Sequence, residues 1–284
     1  MARCEVCVHH CEIAEGSFGM CMARSCRDGV VVCDNYGKVT SAALDPIGKK
    51  PLNRYYPGSY VLSLGSYGCN LRCPFCQNSD ISYGEPVQQM MCGLWVERYA
   101  PEEIAELAEQ LQSKGNIGVA YTYNEPLVGY EYVRDTAKFV HERGMKNVLV
   151  SNGMVELPIL YEILPYMDAM NIDLKAFTDR FYKEMIKGSR QMVMEFIQEA
   201  SAKCHMEVTL LVIPRENDTE EEMRELSGWI ASLHNGRGVD IPLHVSRFFP
   251  RFHMQDRGAT PVETVYRLAE VAREKLKYVY TGNC

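Results

Sequence analysis

The sequence predicts an α/β fold: a partial barrel of six β/α units that follows an irregular, cysteine-rich N-terminal segment. From residue 60 to about residue 250, apolar strand patterns alternate with amphipathic helix patterns, which is typical of parallel β/α units. About six units fit in this stretch, which suits a partial barrel better than a full eightfold one. The first 58 residues contain cysteine, glycine and proline with little periodicity. We therefore expect two regions, residues 1–58 and residues 59–284.

The strands are predicted from short apolar runs, and the helices from apolar side chains spaced three and four residues apart. Strands are expected at 60–65, 117–123, 147–151, 170–174, 207–213 and 243–248, with a short closing strand at 278–280. Helices are expected between 100 and 115 and at 130–143, 157–167, 179–187, 191–204 and 220–233. The last helix is predicted to start with a capping box that has Thr260 as N-cap, Pro261 at N1 and Glu263 at N3.

Composition and charge limit the classes of partner that we expect for this protein. No apolar run reaches the roughly 18 residues that a membrane-spanning helix needs, and the N-terminus lacks the apolar core of a secretory signal. We therefore expect a cytoplasmic protein with no membrane partner. The formal net charge is −7, whereas nucleic-acid binding usually leaves a basic footprint. Nucleic acid is accordingly an unexpected partner.

The twelve cysteines fall mainly into two groups, six in the first 33 residues and three at positions 69–76. In a reducing compartment, such clusters favour metal binding over disulfides. Cys69, Cys73 and Cys76 have the spacing Cys-x3-Cys-x2-Cys directly after the first predicted strand. A [4Fe–4S] cluster is usually held by four thiolates, so three ligands leave one iron open for chemistry. The triad is predicted to be a catalytic metal site, with structural zinc as the alternative.

Polar side chains follow several of the predicted strands at the point where each strand ends. In parallel α/β folds, ligands bind at these carboxyl ends. The residues concerned include Asn124, Glu125, Ser151, Asn152, Asp173, Lys175 and Ser246. Polar residues after a single strand would be read as a loop or a helix cap. Because they recur after several strands along one rim, they predict a binding site.

The cysteine triad, with an aromatic residue before its last cysteine, resembles the signature of the radical-SAM superfamily. The resemblance implies a [4Fe–4S] cluster on Cys69, Cys73 and Cys76, with S-adenosylmethionine (SAM) chelating the open iron. It implies that one electron, from a donor of the flavodoxin or ferredoxin type, cleaves SAM to methionine and a 5′-deoxyadenosyl radical that abstracts hydrogen. In such enzymes the cofactor carries the chemistry, and the protein supplies orientation and exclusion of water.

The resemblance also assigns SAM contacts to particular residues. Phe75 matches the aromatic that packs on adenine. Glu125 matches the acid of the Gly-Gly-Glu-Pro element near the SAM amino group, although Tyr123 and Asn124 replace the two glycines. Ser151-Asn152-Gly153 resembles the Thr-Asn-Gly element near the ribose.

Asp173-Leu174-Lys175 resembles the Asp-x-Lys element of glycyl-radical-enzyme activating enzymes. There the acid faces the SAM amino group and the lysine faces its carboxylate, which suits a zwitterion. A strand-end salt bridge is the alternative interpretation of this pair. Val150 departs from the activase pattern, because pyruvate formate-lyase activating enzyme has an acid at that place.

Cys4, Cys7, Cys11 and Cys21 form a second metal-ligand pattern. By spacing, four thiolates suit zinc and a second [4Fe–4S] cluster equally well. Joined to the segment at 45–52, this pattern is similar to the AmmeMemoRadiSam-type radical-SAM proteins, a resemblance that gives a reaction type and no substrate. Among the other cysteines, Cys26 and Cys33 are expected to be small buried side chains, and Cys284 is either a free thiol or a further ligand.

Three functions are consistent with these patterns. The first is a radical-SAM enzyme, resembling glycyl-radical-enzyme activases, that abstracts hydrogen from a protein glycine, a peptide or a small molecule. The second is an iron–sulfur electron carrier without turnover, and the third is a zinc-organised binding module. The zwitterion site expected at Glu125, Asp173 and Lys175 favours the first, because neither a carrier nor a zinc module needs one.

Overall fold

The structure, a computed structural model, describes all residues from 1 to 284. Its strands are β1 (Ala2–Arg3), β2 (Glu12–Ile13), β3 (Arg24–Arg27), β4 (Val30–Cys33), β5 (Lys38–Val39), β6 (Ser41–Pro46), β7 (Tyr60–Gly65), β8 (Glu97–Arg98), β9 (Asn116–Tyr121), β10 (Lys146–Ser151), β11 (Ala169–Asp173), β12 (His205–Val212), β13 (Leu243–Arg247) and β14 (Val279–Gly282). Its helices are α1 (Ser79–Ser82), α2 (Pro86–Met91), α3 (Pro101–Gln110), α4 (Tyr130–Glu142), α5 (Leu157–Ile163), α6 (Arg190–Ser201), α7 (Glu220–Gly236) and α8 (Val262–Arg273). None of these helices combines the length and the apolar character that crossing a membrane requires.

One eight-stranded sheet organises the chain, with the strand order β14-β13-β12-β11-β10-β9-β7-β6. Seven of these strands run parallel, and β6 pairs antiparallel with β7 at the edge. Alternate residues of each strand point to opposite faces. The face that carries Leu64, Val119 and Leu149 belongs to the large core shared with the helices. The predicted partial barrel, with its six β/α units and a closing strand, is confirmed.

The other face of the sheet is its inner face. Residues 47–55, here called the plug, cover this face toward the amino-terminal ends of the parallel strands. A small apolar cluster joins plug and strands; it comprises Ile47, Leu52, Val61, Ala120, Val148 and Ala169. Val148 pairs in register with Ala120 and with Ala169, so these side chains form one layer across three strands. The side-chain amide of Asn171, one step further along β11, donates to the carbonyl of Pro51 at 2.8 Å. The plug therefore forms the floor of the space above it on the inner face of the sheet.

Glu207 on β12 fixes the plug from the side. Its fully buried carboxylate accepts hydrogen bonds from the backbone N–H groups of Asn53 (3.1 Å) and Arg54 (2.7 Å). It also pairs with the ring nitrogens of His205 (2.9 Å) and His244 (2.6 Å). Burial alone would raise the pKa of Glu207, but these hydrogen bonds outweigh it and lower the pKa to about 2.

Replacing Glu207 by glutamine is expected to destabilise the fold by about 1–3 kcal/mol at pH 7, because donors that the carboxylate satisfies lose their acceptor. The folded pKa lies below the ordinary glutamate value, so the ionised carboxylate stabilises the fold at neutral pH. That stabilisation is lost as the pH falls from about 4.5 toward 2. Denaturant unfolding of both proteins between pH 7 and pH 4 should show the gap narrowing at the acid end. A gap that is zero at pH 7 would show that Glu207 does not hold the plug.

The structure differs from the sequence-based expectations in several places. The N-terminal segment is not wholly irregular, since β3 pairs with β4 and β6 joins the main sheet. The expected helix at 179–187 is a π-helical turn, Phe181–Ile186. The capping box is wrong: the N-cap is Pro261, and the buried hydroxyl of Thr260 instead donates to the carbonyl of Val212 at 2.6 Å. That contact ties the loop before α8 to β12, and local sequence gives no signal for it.

Candidate active site

A cavity of about 340 Å³ opens at the carboxyl ends of the parallel strands. The sequence-predicted triad and all the sequence-predicted SAM contacts line it. They are Cys69, Cys73, Phe75, Cys76, Asn124, Glu125, Ser151, Asn152, Asp173 and Lys175. Carboxyl ends of parallel strands meet at one edge of a sheet, which is why residues up to about 100 positions apart come together here.

The loop that carries the triad is held against the N-terminal segment. Gly68 has a φ of 97°, and a Cβ there would lie 2.7 Å from the carbonyl oxygen of Cys21, so only glycine fits this approach. The next residue, Cys69, donates its backbone N–H to that same carbonyl at 3.1 Å. The guanidinium of Arg72 donates to the carbonyl of Cys69 at 3.0 Å and also to the carbonyl of Met20. The triad is thereby fixed before any ligand binds.

The chemistry of the three thiols suits a metal. Burial raises the pKa of Cys73 to about 12, although Lys175 opposes this, and burial raises the pKa of Cys69 well above its ordinary value. Thiolates, not thiols, ligate metals, so positive charge from a metal is what would deprotonate these side chains. N–H groups already point at one sulfur: Leu71 N lies 3.4 Å and Asn152 Nδ2 lies 3.8 Å from Cys69 Sγ.

Glu125 is the buried acid of the site. Its carboxylate accepts hydrogen bonds from Leu127 N (3.0 Å), Ser151 Oγ (2.7 Å) and Asn152 N (2.8 Å). Burial raises its pKa to about 7, against the pull of those three donors. The neighbouring Asn124 amide accepts from the backbone N–H of Ser66 and donates to the carbonyl of Gly68. The end of β9 is thus tied both to the start of the triad loop and to the end of β10.

Ser151 and Asn152 connect Glu125 to the triad. Besides its contact with Cys69, the Asn152 amide donates to Asn70 Oδ1 at 2.9 Å, and Asn70 in turn donates to the carbonyl of Met154 at 2.6 Å. Both residues line the cavity, so these internal hydrogen bonds fix their orientation toward a ligand.

Asp173 and Lys175 end β11 on the same rim. Lys175 Nζ lies 2.8 Å from Asp173 Oδ2, and the two side chains are 16% and 34% exposed. Burial disfavours the charge on Lys175, but the attraction of Asp173 and of the Cys73 sulfur outweighs burial and raises its pKa. The cavity therefore presents a fixed cation and a fixed anion side by side.

Comparison with known proteins identifies the family. The model of the radical SAM superfamily matches residues 64–227, more than half of the chain. The chain belongs to the radical SAM superfamily.

The "Uncharacterized protein MJ0808" of Methanocaldococcus jannaschii is 41% identical over 283 residues, which cover 99% of this chain and 81% of that protein. "Pyruvate formate-lyase 1-activating enzyme" of Escherichia coli is 23% identical over 186 residues, 62% of this chain and 71% of the enzyme. The solved structure of Streptococcus suis SuiB bound to S-adenosylmethionine aligns with a TM-score of 0.58 and 12% identity, over 77% of this chain and 48% of SuiB. This last likeness is one of fold.

Radical SAM superfamily members are enzymes, and the radical SAM fold implies a [4Fe–4S] cluster and SAM. The side chains that line the cavity fit both the cluster and SAM. Three buried or half-buried thiols face the cavity with no fourth protein thiol among its lining residues, as an open iron requires. Beside them, the paired carboxylate and ammonium of Asp173 and Lys175 match the two charges of an amino-acid zwitterion.

Sequence reasoning missed part of the cavity wall. Lys50, Tyr123, Thr209 and Asn283 also line it, and none of them was assigned a role. Lys50 lies in a segment that contributed only to the family resemblance. In the sequence of β12, His205, Glu207 and Thr209 alternate with apolar residues, and this alternation could have placed Thr209 on the same face as Glu207.

The four N-terminal cysteines also come together. Cys4, Cys7, Cys11 and Cys21 line one small cavity, and burial raises the pKa of Cys7 to about 12. No group of three or more His, Cys, Asp or Glu side chains in the structure is arranged to hold a single metal ion. The triad also lacks an arrangement for a single metal ion. A multi-iron cluster does not need one, because each of its ligands binds a different iron.

The remaining cysteines lie elsewhere. Cys26 and Cys33 do not line the N-terminal cavity; their sulfurs contact Glu15 at 3.4 Å and Asn35 at 3.1 Å. Cys284 is exposed, and its Sγ lies 3.6 Å from the carbonyl of Gly282. The structure therefore groups only four of the six N-terminal cysteines.

Proposed function

We propose that this protein cleaves SAM reductively and uses the resulting radical to abstract hydrogen from a substrate. The observation that supports this is one cavity that is lined both by the cysteine triad and by a carboxylate and an ammonium that match the two charges of an amino acid. A reduced [4Fe–4S] cluster held by Cys69, Cys73 and Cys76 would supply the one electron that SAM needs to break into methionine and a 5′-deoxyadenosyl radical.

The residues of the chain hold and orient the reactants. Cys69, Cys73 and Cys76 hold the cluster, and their loop is fixed by the backbone contact with Cys21. Lys175 binds the SAM carboxylate and Asp173 its amino group, since charge-assisted hydrogen bonds of this kind are strong.

Other side chains shape the rest of the SAM site. Glu125 supports the amino-group side as a rigid acceptor, because three donors already occupy its carboxylate. Through their hydrogen bonds, Asn124 and Asn152 fix the position of the backbone around Glu125. Ser151 borders the ribose. The buried ring of Phe75, which packs against Phe181 with a centroid separation of 6.2 Å, borders the adenine.

The substrate that we favour is a protein glycine, as for activases. The relative named "Pyruvate formate-lyase 1-activating enzyme" and the Asp-x-Lys element support this. A second candidate is a peptide or small molecule. The apolar Val150 in the cavity wall favours it, because pyruvate formate-lyase activating enzyme has an acid at that place. The structure of Streptococcus suis SuiB bound to the precursor peptide SuiA, which is similar in fold over 47% of SuiB, supports this second candidate. The electron would come from a flavodoxin or ferredoxin.

We further propose that Cys4, Cys7, Cys11 and Cys21 bind a metal, either zinc or a second [4Fe–4S] cluster. Their shared cavity supports a metal, and the lack of an arrangement for a single ion favours the cluster over zinc. Iron and zinc analysis of the purified protein and of a Cys7→Ser variant distinguishes them. A variant that lacks residue 284 with unchanged metal content would exclude Cys284 as a ligand. Unchanged metal in Cys7→Ser would contradict the N-terminal site itself.

The proposed function is tested by mixing anaerobic, reduced protein and SAM with candidate glycyl-radical proteins. We expect electron paramagnetic resonance to show a protein-centred glycyl radical that depends on SAM and on the cysteine triad. SAM cleavage without any radical, but with a mass change in an added peptide, would select the second candidate. Absence of SAM cleavage under all conditions would contradict the proposal.

A further inference from the structure

Lys50 forms a polar cluster with Asp45 and Tyr123 on the floor of the cavity. Lys50 Nζ lies 2.9 Å from Asp45 Oδ2 and 4.4 Å from the centre of the Tyr123 ring. The hydroxyl of Tyr123 donates to the same carboxylate oxygen. Lys50 and Tyr123 both line the cavity that holds the cysteine triad. Because Lys50 belongs to the plug, the plug presents its side chain to the space above it.

The ammonium of Lys50 is buried but not saturated. The residue is only 3% exposed, and the structure gives its nitrogen one oxygen acceptor. An ammonium has three N–H donors, so two donors are left without a protein oxygen. Leaving donors of a buried cation unfilled is costly, and an oxygen atom of a ligand in the cavity would fill them.

The local charge also favours an anion. Asp45 is ionised at neutral pH, because the hydrogen bonds from Tyr123 and Lys50 outweigh burial and lower its pKa to about 2. Lys49, which also lines the cavity, lies 3.8 Å from the other Asp45 oxygen. Two cations therefore face one anion. The side chain of Lys49 is 69% exposed, so water screens much of its charge, and the balance at the floor is weakly positive.

We propose that Lys50, positioned by Asp45 and Tyr123, binds a carboxylate group of the substrate. The inference rests on the proposed function and narrows its substrate to a protein, peptide or small molecule that carries a carboxylate within reach of the floor. In a protein or peptide substrate, this carboxylate would belong to an acidic side chain or to the chain terminus near the reacting residue. A weakly positive floor matches a monoanion. A phosphate dianion would call for more cations and for the bidentate geometry of arginine, and no arginine lines the cavity.

Lys50 is separate from the set that we assign to SAM. Lys175 already provides the cation for the SAM carboxylate, and it stands on β11 beside Cys73. Lys50 is instead carried by the plug, which Asn171 and Glu207 hold in place. The two lysines therefore serve two different carboxylates.

The experiment measures binding of acetate, acetamide and inorganic phosphate by anaerobic ligand-observed NMR. The protein carries an oxidised cluster and is saturated with SAM, so that SAM is not cleaved and Lys175 is not free to bind acetate. Lys50→Met should weaken acetate binding by roughly 10- to 100-fold, as expected for hydrogen bonds to a charged group. Acetamide binding should not change, and the Kd for SAM should stay within about twofold. Lys183→Met removes the same charge from an exposed position and should leave all of these values unchanged.

Two further results guard the interpretation. The double variant Asp45→Asn/Lys50→Met removes the buried charge that the single variant leaves unpaired, and it should lose acetate binding in the same way. Acetate binding equal to wild type in a folded double variant would overturn the proposal. Tighter, Lys50-dependent binding of phosphate would overturn the carboxylate assignment, and a tenfold loss of SAM affinity would move Lys50 to the SAM site. Acetate binding needs no SAM cleavage, so failure of the proposed function would be seen separately.

Discussion

Replacement of any one of Cys69, Cys73 or Cys76 by alanine is expected to reduce SAM cleavage to background. With three protein ligands, each thiolate would hold a different iron, so the loss of one would leave the cluster with two protein ligands. Residues that act as a unit typically cost as much singly as together. The measurement is iron content per chain together with 5′-deoxyadenosine formed by anaerobic, reduced protein, and both should fall.

Cysteines outside the cavity provide the control for this experiment. Cys92 is exposed, and the half-buried Cys204 has its Sγ 3.5 Å from the carbonyl of Ala200. Alanine at either position should leave the triad iron and SAM cleavage intact. Full cleavage by any one of the three triad variants would show that the loop does not hold the catalytic metal.

Replacement of Lys175 by alanine is expected to weaken SAM binding by about 1.5–3 kcal/mol, the range for hydrogen bonds to charged groups. This corresponds to a rise in Kd of roughly 10- to 150-fold. The physical reason is that the side chain of Lys175 is only 16% exposed beside Asp173 at the cavity wall, so water screens its attraction for a carboxylate less than at the open surface. Equilibrium binding of SAM to the cluster-loaded protein measures the effect, and iron content should not change.

The alternative for Lys175 is a structural salt bridge with Asp173. The pair Asp173→Asn/Lys175→Met removes both charges and so avoids an unpaired carboxylate, and it should bind SAM no better than the single variant. Lys183→Ala serves as the exposed control. An unchanged SAM affinity in Lys175→Ala, or a wild-type affinity in the double variant, would assign the pair to structure.

Much of the fold and of the cavity could be predicted from local patterns. Apolar runs with regular spacing fixed the positions of the parallel strands, because buried strands and amphipathic helices differ in period. The residues just after those strands necessarily meet at one edge of the sheet. For that reason the sequence alone places Glu125, Asp173 and the triad in one site.

The floor of the site depends on contacts between distant parts of the chain, which local patterns do not encode. Glu207 binds the backbone of Asn53 and Arg54 about 150 positions earlier. Lys50 meets Tyr123 only because the plug enters the inner face of the sheet. Short strands such as β1 and β5, of two residues each, contain too few residues to show a period. The segment at 45–52 carries part of the family resemblance, but no local pattern in it predicts its position beneath the cavity.

The N-terminal cysteines illustrate a different limit. Their spacing predicted a shared site, and the structure brings four of them around one cavity. It also places Cys21 in direct backbone contact with Cys69. Four thiolates nevertheless suit zinc and iron–sulfur clusters alike, so the identity of the metal depends on chemistry that spacing does not encode.

The central claim, that this chain is an enzyme that cleaves SAM at the triad, is tested most directly by product analysis. Anaerobically reconstituted and reduced protein is incubated with SAM, and 5′-deoxyadenosine and methionine are quantified by mass spectrometry. We expect both products in equal amounts from the wild-type protein and neither product from Cys73→Ala. A wild-type protein that carries a full complement of reduced cluster and binds SAM, yet forms no 5′-deoxyadenosine, would contradict the account.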